Sequence, residues 1–306
     1  MTKIFIDGSA GTTGLRIYQR LAQREDLQIL SLPEELRKDT EARRVALNSA
    51  DIAFLCLPDA AAREAVTLVD NPNTAIIDTS TAHRTAVGWT YGFPELVGAQ
   101  AVTASKRIAN PGCHASGFVA LVAPLVRAGL IQTDARLTCF SLTGYSGGGK
   151  PMIAAYESAD RDPLLGAPRQ YGLTQAHKHL PEMAMVCGLE SAPVFCPIVG
   201  DFYCGMEVTV PLFVQDLKGS AEDIRQVYHN TYTGALVTYE DAADESGFLS
   251  AAALAGRDSM QLTVSGNPDR ILLTARFDNL GKGASGAAIQ NMNILLGVDE
   301  TTGLVI

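Results

Sequence analysis

The stretch that most constrains this chain is its start. Lys3–Asp7 is a short run of β-branched and aromatic residues, and it passes through Gly8-Ser9-Ala10-Gly11-Thr12-Thr13-Gly14 into a helical pattern over Thr12–Ala22. Glycine lets the backbone turn sharply and approach a ligand, and the amides at a helix start face negative charge. A strand, a glycine loop and a helix in that order therefore suit a pyrophosphate. The spacing is G-x-x-G-x-x-G rather than the common G-x-G-x-x-G, with Ala10 at the nearby small position. An ordinary strand-to-helix turn is the plain alternative. The alternation continues with strands expected over Leu27–Leu32, Asp51–Leu57 and Thr74–Thr79, and Pro58 stands where a helix can begin. Strands alternating with helices imply parallel βαβ units, so the expected class is α/β with a doubly wound, Rossmann-type sheet.

The texture changes near residue 110. Phe118, Leu121, Val122, Leu125 and Val126 recur at helical intervals within Cys113–Ala128, and Gly129 is placed to end that helix. Beyond it come longer alternating runs at Arg136–Leu142, Met206–Val214, Met260–Ser265 and Ile271–Phe277, with one helix expected over Ala221–Thr231. These suggest an α+β substrate and dimerisation domain with a mixed, mainly antiparallel sheet. A last helix is expected over Ser285–Leu296. The expected division is a dinucleotide-binding domain of residues 1–112 and 283–306 and a catalytic domain of residues 113–282.

Composition removes several classes of partner. With 33 acidic and 24 basic side chains among 306 residues and a net charge of −9, the chain has no basic patch for nucleic acid. No stretch is apolar for the roughly 18 residues a membrane span needs. Met1–Asp7 lacks the apolar core and cleavage site of a signal peptide, so the expected location is cytoplasmic. Six cysteines fall in no C-x-x-C pair and are expected to be reduced there.

The end of the second expected strand bears on which dinucleotide fits. Enzymes specific for NAD usually place an acidic residue there, against the ribose 2′-hydroxyl. Here Leu30-Ser31-Leu32 offers no carboxylate before Glu34, and Ser31 with Arg37 and Lys38 suits a 2′-phosphate. NADP is favoured over NAD.

Asn110-Pro111-Gly112-Cys113 precedes an apolar helix, so Cys113 lies at the helix start, where the dipole and free amides favour a thiolate. A thiolate beside a nicotinamide implies attack of sulfur on a carbonyl followed by hydride transfer. A buried structural cysteine is the alternative. His177-Lys178-His179-Leu180-Pro181-Glu182 gathers two histidines, a lysine and a carboxylate, and a histidine can carry the proton while Glu182 orients or tunes it. His177 and His179 are two apart and would point to opposite sides of an extended segment, so one of them is expected to enter the site. A plain surface loop is the alternative. With Cys187, Cys196 and Cys204 these histidines match no compact zinc spacing, and no metal is expected. Gly144-Tyr-Ser-Gly-Gly-Gly149-Lys150 nearly spells a P-loop, but Pro151 removes the hydroxyl that would bind magnesium. Ser146 and Lys150 remain as possible donors.

Taken together these residues resemble the N-acetyl-gamma-glutamyl-phosphate reductases, in their shorter class, within the semialdehyde dehydrogenase superfamily. The resemblance rests on the Gly8–Gly14 loop, Asp78-Thr-Ser-Thr-Ala-His-Arg84, Tyr91-Gly-Phe-Pro-Glu-Leu96, Asn110–Cys113, Ser146–Lys150, His177–Glu182 and Gly281–Asn293. It implies that Cys113 is the nucleophile and that His179, or else His177, is the acid/base. It implies too that Asn279 and the segment with Lys282 return to the cofactor. Arg84 stands where a substrate anion can be held, and Asn110, Ser146 and Glu182 are counted with it on the substrate side. The reaction implied is NADPH-dependent reduction of an acyl phosphate, N-acetyl-L-glutamyl 5-phosphate, to the semialdehyde with release of inorganic phosphate, in arginine biosynthesis. A homo-oligomer, dimer or tetramer, is the expected assembly. A sister acyl-phosphate reductase, for aspartate semialdehyde or a carrier-linked substrate, and a non-catalytic dinucleotide sensor are the alternatives. His114-Ala-Ser116 departs from the aromatic, proline and threonine that usually follow this cysteine in the longer class.

Overall fold

The computed structural model describes all 306 residues. It divides into two compact units, residues 1–112 with 284–304, and residues 113–283 with 305–306.

The first unit is built on six strands, β1 (Thr2–Asp7), β2 (Leu27–Leu30), β3 (Ile52–Leu55), β4 (Ala75–Asp78), β5 (Thr90–Tyr91) and β6 (Arg107–Ala109). All pair in parallel, in the order β2-β1-β3-β4-β6-β5. The helices are α1 (Thr12–Leu21), α2 (Thr40–Ser49), α3 (Asp59–Thr67), α4 (Pro94–Val97) and α5 (Ala99–Thr103). Both faces of the sheet are covered: Ile4 and Ile6 join Ile17 and Leu21 of α1 in one cluster, while Phe5 joins Leu47 of α2 and Ala62 of α3 in the other. Alternate residues of β1 thus face two cores, which is why the strand reads as a continuous apolar run. At its end Asp7 accepts two hydrogen bonds from the Arg43 guanidinium, at 2.9 and 3.1 Å, and ties α2 to the sheet. Burial pushes the Asp7 carboxyl up, and Arg43 opposes that shift. Removing one partner of such a buried pair costs about 3–5 kcal/mol, because the other charge is left without compensation. The chain leaves β1 for β2 on one side and then crosses to β3 on the other, so the sheet's order reverses beside β1.

The second unit carries β7 (Thr138–Gly144), β8 (Arg169–Gln170), β9 (Val194–Gly200), β10 (Met206–Phe213), β11 (Val237–Tyr239), β12 (Met260–Gly266) and β13 (Arg270–Phe277). Their order is β11-β12-β13-β10-β7-β9-β8. Four pairings are antiparallel, and β11 with β12 and β7 with β9 are parallel. β9 has no counterpart among the expected strands, since Pro197 in its middle argues against a strand.

One face of this sheet is covered by α6 (Cys113–Arg127), which packs on β10, β13, α8 (Leu180–Cys187) and α9 (Ala221–Thr231), while α7 (Gly149–Glu157) follows β7. α6 is buried on all sides from His114 to Leu125 and contains Pro124. Proline has no amide hydrogen, so the Ala120 carbonyl loses its helical donor. The Tyr232 hydroxyl takes that place at 2.6 Å, and Tyr228 donates to Leu121 at 2.6 Å. The chain then returns through a π-helical turn, Gly281–Ser285, to α10 (Gly286–Leu296), which packs on α5 and β4 of the first unit. No helix is long and apolar enough to cross a membrane.

Candidate active site

In the first unit the glycine loop forms one end of a cavity of about 700 Å³, whose walls include Gly8, Ser9, Ala10, Ser31, Arg37 and Lys38. Gly8 has φ +90°, and a β-carbon there would stand 2.2 Å from the Cys56 carbonyl oxygen. One on Gly14 would stand 2.4 Å from the Gly8 carbonyl. The loop therefore folds back on itself with no room for side chains at these two positions. Gly11 precedes α1 with extended backbone, and no side chain caps the helix. The first-turn amides, including those of Thr12 and Thr13, can thus serve an anion. A dinucleotide fits this donor set: backbone amides and Ser9 for a pyrophosphate, and Ser31, Arg37 and Lys38 for a further phosphate.

In the second unit Cys113 is the first residue of α6 and is partly exposed. Gly283 lies against it, since a β-carbon there would come 3.1 Å from that of Cys113. α8 packs alongside α6, and at its head the rings of His177 and His179 have centroids 4.9 Å apart. Both also surround His114, at 5.8 and 5.5 Å. This corrects the expectation that the two would face opposite ways. The segment is a turn rather than a strand: Leu180 donates to the His177 carbonyl, and His179 has helical backbone at φ −84°, ψ −12°. The ring of His177 also accepts from the His179 amide at 3.3 Å. Burial lowers the His177 imidazole, and Lys178 adds to that shift. His179 is buried, and Glu182 is buried in the first turn of α8, where the helix dipole favours a carboxylate.

The other candidate residues fall in several places. Asn110 is buried at the end of β6, donates to the Ala284 carbonyl at 3.0 Å, and leaves its own buried side-chain oxygen without a partner. Arg84 donates to the carbonyls of Asn110 and Thr79, each at 3.0 Å, so part of its guanidinium secures the segment ahead of Cys113. Asp78 holds the same neighbourhood: it accepts from Ser80 and contacts His83 Nδ1 at 2.6 Å, with Trp89 stacked on His83. Asn279 accepts from the Gly205 amide at 2.9 Å and donates to Ser146 Oγ at 3.0 Å. Both side chains are buried, and together they stitch the turn after β7 to the end of β13. Lys282 is buried in the π-helical turn.

Three residues of the thiol cluster, His114, Ser141 and Tyr171, were not foreseen. His114 is buried, with Nδ1 2.6 Å from Ser141 Oγ and Nε2 2.6 Å from the Tyr171 hydroxyl. Burial, with His177 and Lys178 close by, pushes its imidazole down to about 3, so it is neutral. Burial and the charge of a Cys113 thiolate push the Tyr171 phenol up. A histidine inside an otherwise apolar helix is the informative exception to the rule that polar groups stay outside, and could have marked His114. Tyr171 carried no local signal.

Residues 25–104 match the family model described as semialdehyde dehydrogenase, NAD binding domain, and residues 113–279 that described as semialdehyde dehydrogenase, dimerisation domain. The N-acetyl-gamma-glutamyl-phosphate reductase of Rhizobium meliloti is 49% identical over 96% of this chain and 98% of its own length. A Nostoc protein, N-acetyl-gamma-glutamyl-phosphate reductase 2, is 45% identical over 99% of each. Among solved structures, aspartate semialdehyde dehydrogenase II from Vibrio cholerae shares the fold at a TM-score of 0.73, with 16% identity over 97% of this chain and 99% of that one. Sequence identity of this extent, over nearly the whole of both chains, means that the chain belongs to the N-acetyl-gamma-glutamyl-phosphate reductase family.

Proposed function

We propose that this chain reduces N-acetyl-L-glutamyl 5-phosphate to N-acetyl-L-glutamate 5-semialdehyde with NADPH, as an enzyme of arginine biosynthesis working in the cytoplasm. The observation that carries the reading is the thiol at the start of α6 with two imidazoles gathered at the head of the adjoining α8. Bound NADPH supplies a hydride; Gly8–Gly14 would hold its pyrophosphate, and Ser31, Arg37 and Lys38 its 2′-phosphate. Asn279 and Lys282 are proposed to reach the cofactor from the far end of the chain.

The Cys113 thiolate forms a bond to the acyl carbon, and the carbon–oxygen bond to phosphate breaks, with the electron pair leaving on inorganic phosphate. That gives a thioester on Cys113. Once the carbon is reduced it is a thiohemiacetal, and His179, or else His177, moves the proton that accompanies its collapse to aldehyde and thiolate. Arg84, Asn110, Ser146 and Glu182 are proposed to border the substrate, with Arg84 giving up guanidinium donors to an anion. The chain is proposed to act as a homodimer or homotetramer.

The acyl phosphate is unstable, so the test runs the reaction backwards. N-acetylglutamate semialdehyde, phosphate and NADP are mixed with the protein, and NADPH is followed by absorbance. Phosphate-dependent NADPH formation is expected with this aldehyde and not with aspartate semialdehyde. Activity with aspartate semialdehyde alone would move the enzyme to a sister reaction, and no activity with either would leave a dinucleotide-binding protein without this chemistry.

A further inference from the structure

One polar chain in the second unit has no part in the reaction as written. Ser141 on β7 is fully buried, and the one hydrogen-bond partner of its hydroxyl is His114 Nδ1. The one partner of the Tyr171 hydroxyl is His114 Nε2. A neutral imidazole has one donor nitrogen and one acceptor. If Nδ1 carried the hydrogen, the Ser141 hydroxyl hydrogen would be buried with no acceptor, a loss of about 1–3 kcal/mol in a folded protein. Satisfaction therefore sets the direction. Ser141 donates to Nδ1, Nε2 donates to the Tyr171 oxygen, and the phenolic hydrogen points away from His114.

The surroundings fix this arrangement. The Tyr171 amide donates to the Pro197 carbonyl at 3.0 Å, which pins Tyr171 beside β9. Phe195 of β9 packs edge-on against the His114 ring at 5.3 Å. The ionisable groups around the chain are Cys113 on α6 and His177, Lys178 and His179 at the head of α8. Deep burial, with His177 and the Lys178 cation close by, keeps a proton off His114, so it cannot act as the acid. It can act as a relay of orientation.

We infer that Ser141, His114 and Tyr171 form a one-way hydrogen-bond chain that presents the Tyr171 O–H to the Cys113 sulfur and to the oxygen that gains charge when sulfur attacks a carbonyl. Tyr171 is the donor, and His114 and Ser141 are positioning residues. No bond to hydrogen breaks along the chain; it stabilises developing negative charge by a fixed dipole. The inference rests on Cys113 being the nucleophile, and Cys113→Ala tests that separately: turnover surviving in that variant would remove the thioester reading itself.

The chain is tested with Cys113 intact. Tyr171→Phe keeps the ring and removes the donor. It should lower kcat on the order of 10²-fold, change KM less than about threefold, and move the pH midpoint of Cys113 alkylation by iodoacetamide upward. Ser141→Ala frees Nδ1, so His114 can adopt the other tautomer and take the Tyr171 hydrogen for itself; kcat should fall several-fold. The double variant should be no slower than Tyr171→Phe alone, because the chain has a single outlet. Residues that merely hold the fold would give multiplying losses and an unmoved alkylation midpoint, and either result overturns the inference. So does a Tyr171→Phe enzyme within twofold of the parent. His114→Ala empties a buried site and can fail to fold; the hydroxyl variants each remove one oxygen and decide the question without it.

Discussion

The glycine loop of the first unit and the thiol cluster of the second are opposite ways of making a site. Residues 8–14 are contiguous, carry no ionisable side chain, and act through backbone amides and the absence of β-carbons at Gly8 and Gly14. The cluster draws on residues 113–114 of α6, Ser141 of β7 and the 171–179 segment ahead of α8, and every part of it is a side chain. The first depends on local shape and survives changes in most side chains. The second depends on three segments meeting, and on burial holding an imidazole neutral. A backbone site is therefore broken by adding an atom, and a side-chain site by taking one away.

The largest effect expected from that contrast is at Cys113. Cys113→Ala should lower turnover on the order of 10⁴-fold or more, as removal of a nucleophile does elsewhere. NADPH affinity by fluorescence titration should stay within about twofold. A large parallel loss of affinity would mean that the two regions are not separable. The converse variant is Gly8→Ala. A β-carbon at φ +90° and 2.2 Å from the Cys56 carbonyl forces the loop open. NADPH affinity should fall about 10²-fold, roughly 2.7 kcal/mol, while iodoacetamide still alkylates Cys113 at the parent rate. A Gly8→Ala protein that binds NADPH normally would take the pyrophosphate away from this loop.

The same contrast explains what could be read from the sequence. Glycines at 8, 11 and 14 between a strand and a helix already state a backbone shape, and the alternating elements around them state a parallel sheet, so the first unit was legible almost strand by strand. Its two-residue β5 and three-residue β6 were too short to leave a pattern. In the second unit the apolar spacing of α6 and the alternation of β10, β12 and β13 were plain, but Pro197 hid β9. Cys113 stood out because of its place before a helix. The relation of His177 to His179 was misjudged because a two-residue spacing was read as extended, and a helix N-terminus turns both rings to one side. Ser141 and Tyr171 lie 27 and 57 positions from His114, and only the fold brings them together.

A smaller effect separates the two phosphate-binding parts of the first unit. Arg37→Ser with Lys38→Ser removes two exposed cations from the cavity wall and leaves the glycine loop intact. KM for NADPH should rise about tenfold, about 1.4 kcal/mol, with KM for NADH nearly unchanged. The NADPH effect should shrink at high salt, because exposed charges are screened. Equal losses for both cofactors would mean that these cations serve the pyrophosphate rather than a 2′-phosphate.

The smallest effect tests the neutrality of His114 as a stability. In the unfolded chain its imidazole takes a proton near the ordinary value of 6.5, and in the folded chain only near 3. Between these values the unfolded state binds more protons, so stability rises with pH and is lost on acidification. The full contribution is present above 6.5 and falls by about 1.4 kcal/mol per pH unit at the steepest. From pH 6.5 to 5.5 the loss from this one group is about 1 kcal/mol. The lowered imidazole of His177 works in the same direction. Urea unfolding of the parent and of His114→Gln at the two pH values isolates the term, since the glutamine has no proton to gain and other groups cancel in the comparison. The parent should lose about 1 kcal/mol more than the variant. Equal losses would mean that His114 takes up a proton in the folded protein. The bridge between Ser141 and Tyr171 would then have no fixed direction, and the side-chain site would owe its order to packing alone.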